Sequence, residues 1–224
     1  RPPLILIHGL FGNSTNFRSP GLKLAQRRDV LLVDLRNHGQ SPWSDDTALE
    51  AMASDIIELL DDEGIEQAAL CGHSLGGKVA MVAALTAPER VSRLVIADIA
   101  PVEYTETHAG WRANHMIMDA MAALPEDALA SRPTADAALA EAGIGEPGIR
   151  GFLLQNLLPD ERRFRFNLHT LRAAAQNGAP FAGFPGHLPS APSTLPVCVI
   201  AGSKSTYANR PEHRAAIERL FPGA

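Results

Sequence analysis

The stretch Leu70-Cys71-Gly72-His73-Ser74-Leu75-Gly76-Gly77 lies inside the apolar run from Ala68 to Leu85. It predicts a buried strand that ends in G-x-S-x-G and passes directly into a helix, the context that a nucleophile elbow requires. A side chain at Gly72 or Gly76 would collide with the neighbouring strand or helix, so the turn can hold Ser74 in a strained conformation. We therefore predict that Ser74 is a nucleophile; an incidental serine in a glycine-rich turn is the alternative.

Composition limits the kinds of partner. The 224 residues carry 20 Lys and Arg against 25 Asp and Glu, a formal net charge of -5, and 46% of them are hydrophobic. These values are typical of one large globular domain. Because Lys and Arg do not cluster, the sequence argues against nucleic acid or an anionic membrane surface as the main partner. It predicts nothing about the oligomeric state.

The two cysteines, Cys71 and Cys198, each lie in an apolar strand-like run. We expect both to be buried as small hydrophobic residues, with no disulfide framework, no metal and no cofactor. A reducing compartment fits this usage, so we expect a cytoplasmic protein. The sequence contains no run of eighteen apolar residues, so we predict no membrane span. The chain begins at Arg1 without a signal-peptide pattern, which leaves a removed targeting segment open.

Apolar runs alternate with helical patterns along most of the chain. Besides the strand that leads to Ser74, the predicted strands are Leu4–Ile7, Val30–Val33, Leu94–Ala97 and Val197–Ala201. The predicted helices are a short one ending near Arg28, then Ala48–Glu63, Leu75–Thr86 and Arg214–Leu220. This alternation predicts the α/β class, with a mostly parallel sheet covered by helices on both faces. Ligands of such sheets bind beyond the carboxyl ends of the strands, where His8, Arg36, Ser74 and Asp98 fall.

The alternation stops in residues 100–195, which we call the insertion. We predict that it is an all-helical lid, while residues 1–99 and 196–224 form the core. The predicted helices lie around Met116–Leu124, at Ala135–Ala142 and at Phe152–Leu158. Asn177–Pro196 is rich in Gly, Pro, Ala and Ser and predicts an irregular return to the sheet.

Four ordered motifs carry a family resemblance. They are His8–Gly12 (HGLFG), Asp34–Pro42 (DLRNHGQSP), Gly72–Lys78 (GHSLGGK) and Ala97–Val102 (ADIAPV). Together they resemble the α/β-hydrolase superfamily, and their variants are similar to the YbfF-type esterases within it. The resemblance covers nearly the whole chain and is weakest from Ala122 to Gly151. It implies the α/β-hydrolase fold and a serine carboxylesterase or thioesterase with a helical lid over the pocket.

The chemistry also needs an oxyanion hole, which two backbone N–H groups would form. We expect one from Leu75, at the start of the helix after Ser74. The other should come from the loop after the first strand, where Leu10 is our choice and Phe11 its neighbour. His8 is expected to hold this loop through hydrogen bonds rather than to act as a base.

The acid is predicted to be Asp98. Most α/β-hydrolases place the acid after the strand that corresponds to Val197–Ala201, but the loop Gly202–Thr206 contains no carboxylate. Asp98 ends the preceding strand, and the resembled esterases use an aspartate at this D-I-A-P position. The alternative is that Asp98 caps the first helix of the insertion.

The base is not evident. The resemblance places it after the acid, on a loop beyond a further strand, whereas the sequence ends at Ala224. His73 adjoins Ser74 and is expected to point away from it. We therefore expect a truncated hydrolase without its final strand, its catalytic histidine and its first strands. Such a chain should show little esterase activity until a C-terminal extension supplies a histidine. Full activity that is lost in His187→Ala or His115→Ala would instead reveal a relocated base.

The substrate-binding residues are predicted to be Phe11, Arg36, His73 and Trp111. Arg36 could contact a polar head group or hold the lid. The insertion is rich in Trp, Met and Phe with few charges, which favours short- or medium-chain acyl esters or thioesters over charged acids. The alternatives are a C–C bond hydrolase or perhydrolase on the same scaffold, and a ligand-binding homologue without catalysis.

Overall fold

A computed structural model describes residues 1–105, 107–178, 181–191 and 194–224. Its strands are β1 (Leu4–Ile7), β2 (Val30–Val33), β3 (Ala68–His73), β4 (Val91–Ala97), β5 (Leu157–Leu158), β6 (Arg163–Phe164) and β7 (Val197–Ile200). Five of them form one sheet in the order β2-β1-β3-β4-β7, and every pair is parallel. The predicted α/β class with a parallel sheet is confirmed.

The helices are α1 (Arg18–Leu24), α2 (Leu49–Asp62), α3 (Leu75–Thr86), α4 (Ala109–Ala122), α5 (Arg132–Glu141), α6 (Pro147–Leu154), α7 (Leu168–Gln176) and α8 (Pro211–Leu220). Gly64 follows α2 with a φ of +64°, the left-handed conformation that ends many helices. In the described ranges, none of the helices has the length and apolar character needed to cross a membrane.

The centre of the sheet carries the core. All four residues of β1 are buried, and α3 is buried from Leu75 to Leu85. The small residues of α3, such as Ala80 and Ala83, let this helix lie close to the strands beneath it. One hydrophobic cluster joins Ile5, Ile7 and the apolar residues of α3 to residues of the insertion, including Met118 and Phe166. The sheet and the insertion therefore share a core. Leu4 and Leu6 point to the other face of the sheet and pack in a smaller cluster with Ala69.

The edge strand β7 departs from expectation. Its residues alternate between partly buried and exposed, and Cys198 is exposed, so the prediction that both cysteines are buried is wrong for Cys198. Cys71 is half-buried, in β3 at the centre of the sheet. β7 lies at the edge of the sheet, with β4 as its only partner strand in the described part of the chain.

The insertion is not all-helical, which corrects the prediction. α6 begins before the predicted helix and ends at Leu154, and β5 and β6 then form a short antiparallel pair. Pro159 cannot continue a helix, and Arg162 has a left-handed φ of 48° that turns the chain back. The predicted helix Ala135–Ala142 is α5, whereas α7 was not predicted. In the return segment Asn177–Pro196, residues 179, 180, 192 and 193 lie outside the described residues, and the rest forms no helix or strand.

Candidate active site

Strained backbone follows four strands of the sheet, either directly or in the loop after the strand. Phe11, Asn37, Ser74 and Asp98 follow β1, β2, β3 and β4, and their φ values are 60°, 64°, 51° and 57°. Non-glycine residues adopt such angles at a cost of about 1–3 kcal/mol each, and the strain clusters at functional sites. The carboxyl edge of this sheet is therefore the candidate location of the active site.

The elbow at Ser74 depends on close backbone contacts. A Cβ atom added to Gly72 would lie 2.0 Å from the carbonyl oxygen of Gly76, and one added to Gly76 would lie 2.3 Å from the carbonyl oxygen of Ile7. Ser74 donates its own N–H to the carbonyl oxygen of Ala97 over 2.9 Å. The glycines thus let strand and helix approach each other, and Ser74 is held at the start of α3.

A cavity of about 430 Å³ opens at Ser74. Its lining combines polar residues of the core with apolar residues from the loops and the insertion; it includes Leu10, His73, Ser74, Asp98, Asn114 and Phe152. A small adjoining pocket of about 30 Å³ reaches Trp111 and Phe181 of the insertion. The volume of the main cavity falls within the range of small-molecule sites, and both Ser74 and Asp98 line this cavity.

Leu75 and Leu10 are the predicted oxyanion donors. Leu75 is the first residue of α3, so its N–H has no acceptor within the helix. Leu10 lines both the main cavity and its extension. Phe11 donates its N–H to Nε2 of His38 over 3.3 Å, and its buried ring packs on Phe166. The Phe11 ring therefore faces the core rather than the cavity.

His8 and His38 are both held as neutral rings. His8 Nδ1 lies 2.8 Å from the carbonyl oxygen of Gly9, and its Nε2 accepts the N–H of Leu35. His38 Nδ1 bonds to the carbonyl oxygen of Arg36 while its Nε2 accepts from Phe11. Burial lowers the pKa of both imidazoles, that of His38 to about 3. His8 thus holds neighbouring loops, as the sequence predicts.

Asp98 is anchored to the neighbouring strand. It donates its N–H to the carbonyl oxygen of Ile200, and its Oδ1 accepts the N–H of Gly202 over 2.9 Å. The residue that caps α4 is His108, whose side chain accepts from the N–H of Trp111. The alternative role of Asp98 as the helix cap is therefore wrong, while its role as catalytic acid stays a prediction.

The histidines do not reveal a base. His73 is predicted to point away from Ser74, yet it lines the same cavity as Ser74 and Asp98. Its pKa is lowered by burial, against the opposing effect of Asp98. In the described part of the chain, the His73 ring forms no hydrogen bond to either residue. His115 packs against the ring of Trp111, and His187 is exposed in the return segment.

Arg36 lies away from the Ser74 cavity. Its guanidinium forms a bidentate pair with Asp55 of α2, with both distances 2.7 Å, and it lines a separate cavity of about 590 Å³ beside β2. The hydrogen bond to Asp55 raises the pKa of Arg36. This side chain ties the loop after β2 to α2 and not to the insertion.

Two further residues were missed. Asn114 and Tyr207 line the cavity, and the Asn114 side chain bonds to the Tyr207 hydroxyl, whose pKa burial raises to about 12. Asn114 lies three residues after the predicted Trp111, on the same face of α4, and this spacing could have identified it. Tyr207 follows β7 and carries no such signal. Among the described residues, no cluster of His, Cys, Asp and Glu could hold a metal ion.

Comparison with known proteins agrees with this geometry. A family model described as the alpha/beta hydrolase fold matches residues 2–121. The sn-1-specific diacylglycerol lipase ABHD11 of Mus musculus is 43% identical over 232 residues, covering 100% of this chain and 72% of its own length. The esterase YbfF of Escherichia coli (strain K12) is 37% identical over 162 residues, covering 72% of this chain and 61% of its own.

A solved structure titled as a marine microorganism esterase superposes with a TM-score of 0.91 at 29% identity. The alignment covers 99% of this chain and 84% of that one. Each of these three relatives is named as a lipase or an esterase.

Proposed function

Because this chain belongs to the α/β-hydrolase family, we propose that it is a serine hydrolase that cleaves short- to medium-chain acyl esters through an acyl-enzyme intermediate. The observation that carries the proposal is Ser74, held at a φ of 51° within G-x-S-x-G and opening on a cavity that it shares with Asp98. Strain of this kind serves to present a nucleophile. The esterases and lipases among the relatives support the reaction class.

In the proposed reaction, Ser74 Oγ attacks the ester carbonyl carbon. The N–H groups of Leu10 and Leu75 stabilise the negative charge that develops on the carbonyl oxygen, a contribution worth about 3–4 kcal/mol per donor in such sites. An imidazole base oriented by Asp98 takes the serine proton and passes it to the departing alcohol. Water then releases the acyl group from Ser74 by the same steps. We assign none of the described histidines to the base.

The lining of the cavity supports an uncharged acyl substrate. Leu10 and Phe152 line the main cavity, and Trp111 and Phe181 line its extension, so an acyl chain would leave water for an apolar surface. Asn114 and Tyr207 add one polar edge that suits the alcohol or thiol side of the substrate. The mouse relative is named a diacylglycerol lipase, so a diacylglycerol is the competing substrate.

The test uses the natural full-length protein with a fluorophosphonate probe and nitrophenyl esters from acetate to palmitate. We expect an adduct on Ser74, and a loss of turnover of about 10⁶-fold in Ser74→Ala. Asp98→Asn should lower turnover about 10⁴-fold with an unchanged melting temperature. A chain that binds esters but forms no Ser74 adduct would be a binding protein, and the proposal would be overturned. Fastest turnover on palmitate would revise the chain length alone.

A further inference from the structure

A buried asparagine of the insertion reaches the candidate oxyanion loop. Asn156 lies between α6 and β5 and has no exposed surface (0%). Its Nδ2 donates to the carbonyl oxygen of Phe11 over 2.8 Å, and its Oδ1 accepts from Nδ2 of Asn13 over 2.7 Å. The two bonds span 145 and 143 residues of sequence. The insertion is thus tied to the loop that follows β1.

Backbone groups determine the orientation of both amides. The N–H of Thr15 can only donate, and it donates to Oδ1 of Asn13 over 2.9 Å. The other end of Asn13 must then be the NH2 group that donates to Oδ1 of Asn156. The NH2 group of Asn156 therefore faces the Phe11 carbonyl, which can only accept. A chain of donors and acceptors with a single direction runs from Thr15 to Phe11.

The loop that receives this bond is a strained turn. Gly12 donates its N–H to the carbonyl oxygen of Gly9 over 2.9 Å, so Leu10 and Phe11 are the two central residues. Phe11, the second of them, has a φ of 60°, a value that turns usually assign to glycine or asparagine. A phenylalanine at this position needs support from outside the turn.

That support acts on both polar groups of Phe11. His38 accepts its N–H, and Asn156 donates to its carbonyl oxygen. His38 thereby holds the peptide unit between Leu10 and Phe11, and Asn156 holds the unit between Phe11 and Gly12. The N–H of this second unit is the Gly12 N–H that donates to the carbonyl oxygen of Gly9, and that carbonyl shares its planar peptide unit with the N–H of Leu10. Holding the Phe11 carbonyl therefore also holds the direction of the Leu10 N–H. One holding group comes from the loop after β2 and the other from the insertion.

We propose that Asn156 is a positioning residue for the oxyanion hole: by holding the carbonyl group of Phe11, it aims the N–H of Leu10 at the developing oxyanion. The inference rests on the proposed function for its catalytic meaning. If it holds, catalysis requires that the insertion be packed on the core. A displaced insertion would take the Asn156 amide away from the Phe11 carbonyl.

The chain offers a matched control in Asn167. This asparagine also belongs to the insertion, is buried, and bonds through its N–H and Nδ2 to the carbonyl and side-chain oxygens of Asn37. Asn37 has the same kind of strained backbone, with a φ of 64°, but does not line the Ser74 cavity. Replacing Asn167 with alanine removes its Nδ2 bond to Asn37 and the cap that its Oδ1 provides for the Thr170 N–H, while the bond from Asn156 to Phe11 stays in place.

The experiment compares Asn156→Ala with Asn167→Ala in the full-length protein. Hydrogen exchange of the Leu10, Phe11 and Gly12 amides should accelerate about tenfold in Asn156→Ala, the effect expected for one lost hydrogen bond, and remain unchanged in Asn167→Ala. With nitrophenyl esters, kcat should fall about 10- to 100-fold in Asn156→Ala with KM within twofold, less than the loss of an oxyanion donor itself.

A second variant, closer in shape to the natural residue, covers the case in which Asn156→Ala does not fold. Asn156→Asp keeps the shape and the acceptor for Asn13 but, when ionised, cannot donate to Phe11, and it should reproduce both effects. Unchanged exchange in a folded Asn156 variant would overturn the inference whether or not the protein is an enzyme. If the amides exchange faster in Asn156→Ala but its kcat equals that of Asn167→Ala, the catalytic role of Asn156 would be overturned. Absence of a Ser74 adduct in the unaltered protein would instead count against the proposed function, and exchange would still decide the positioning.

Discussion

The β3–α3 elbow and the insertion meet at one cavity but are held in place by different contacts. At the elbow, glycines allow backbone to touch backbone, with a Cβ atom at Gly72 only 2.0 Å from a carbonyl oxygen of α3. Besides the hydrophobic core that it shares with the sheet, the insertion is attached by buried polar side chains: Asn156 and Asn167 bond to loops of the core, and Lys78 of α3 bonds to the insertion. The elbow therefore tolerates no added atom, whereas the insertion depends on donors and acceptors that distant residues supply.

Lys78 shows the second kind of attachment most clearly. Only 2% of its surface is exposed, and its Nζ donates to the carbonyl oxygens of Ala182, Gly183 and Val102 over 2.6, 2.7 and 2.9 Å. The ammonium group also lies 4.6 Å from the centre of the Tyr104 ring. It thus joins both ends of the insertion to the helix that follows Ser74.

The largest effect is expected from Gly72→Ala. The added methyl group meets backbone atoms that cannot rotate away, so we expect a loss of unfolding free energy of about 3 kcal/mol or more, measured by urea denaturation. Gly64→Ala is the control, since Gly64 has a φ of +64° but nothing within 4 Å of the added atom. It should lose only about 1 kcal/mol, from strain alone. Equal losses would show that backbone contact does not hold the elbow.

Lys78→Met tests the polar attachment through pH. Burial lowers the pKa of Lys78 to about 7, whereas the unfolded chain keeps the ordinary 10.5. Above about pH 7 the folded chain gives up one Nζ proton, which leaves Nζ with two N–H donors, whereas the unfolded chain stays protonated up to about pH 10.5. The unfolded chain then binds one proton more than the folded chain, so the stability of the natural protein should rise with pH over this range. The slope from this group is at most about 1.4 kcal/mol per pH unit, and Lys78→Met should lack it.

The measurement is urea unfolding of both proteins from pH 7.5 to 10. Groups present in both, such as Cys71, cancel in the difference. If the difference in unfolding free energy between the two proteins does not change with pH, Lys78 keeps its proton in the folded protein. The hydrogen bonds to its carbonyl partners would then raise its pKa more than burial lowers it.

The smallest effect, of opposite sign, is expected from Gly151→Ala. Gly151 is an exposed residue inside α6, with nothing within 4 Å of an added Cβ atom. Alanine favours the helix over glycine by about 0.5–1 kcal/mol, so thermal unfolding should shift to a higher temperature. A lower melting temperature would mean that α6, like the elbow, has no room for a side chain.

The sequence alone determined the features that neighbouring residues dictate. The strained turn at Ser74 follows from Gly72 and Gly76, and the order of strands and helices follows from apolar periodicity. β5, β6 and α7 escaped prediction because a two-residue strand exists only through its partner, and because α7 is short and packs on α4 far away in sequence.

Tertiary structure decided which polar groups meet. Arg36 pairs with Asp55 rather than facing the cavity, Tyr207 enters the cavity from beyond β7, and Asn156 reaches Phe11 across 145 residues. No local pattern encodes these pairs, because each partner is an ordinary polar residue in its own stretch of sequence. A buried polar group must find a partner wherever the fold brings one, and only the packed chain specifies where that is.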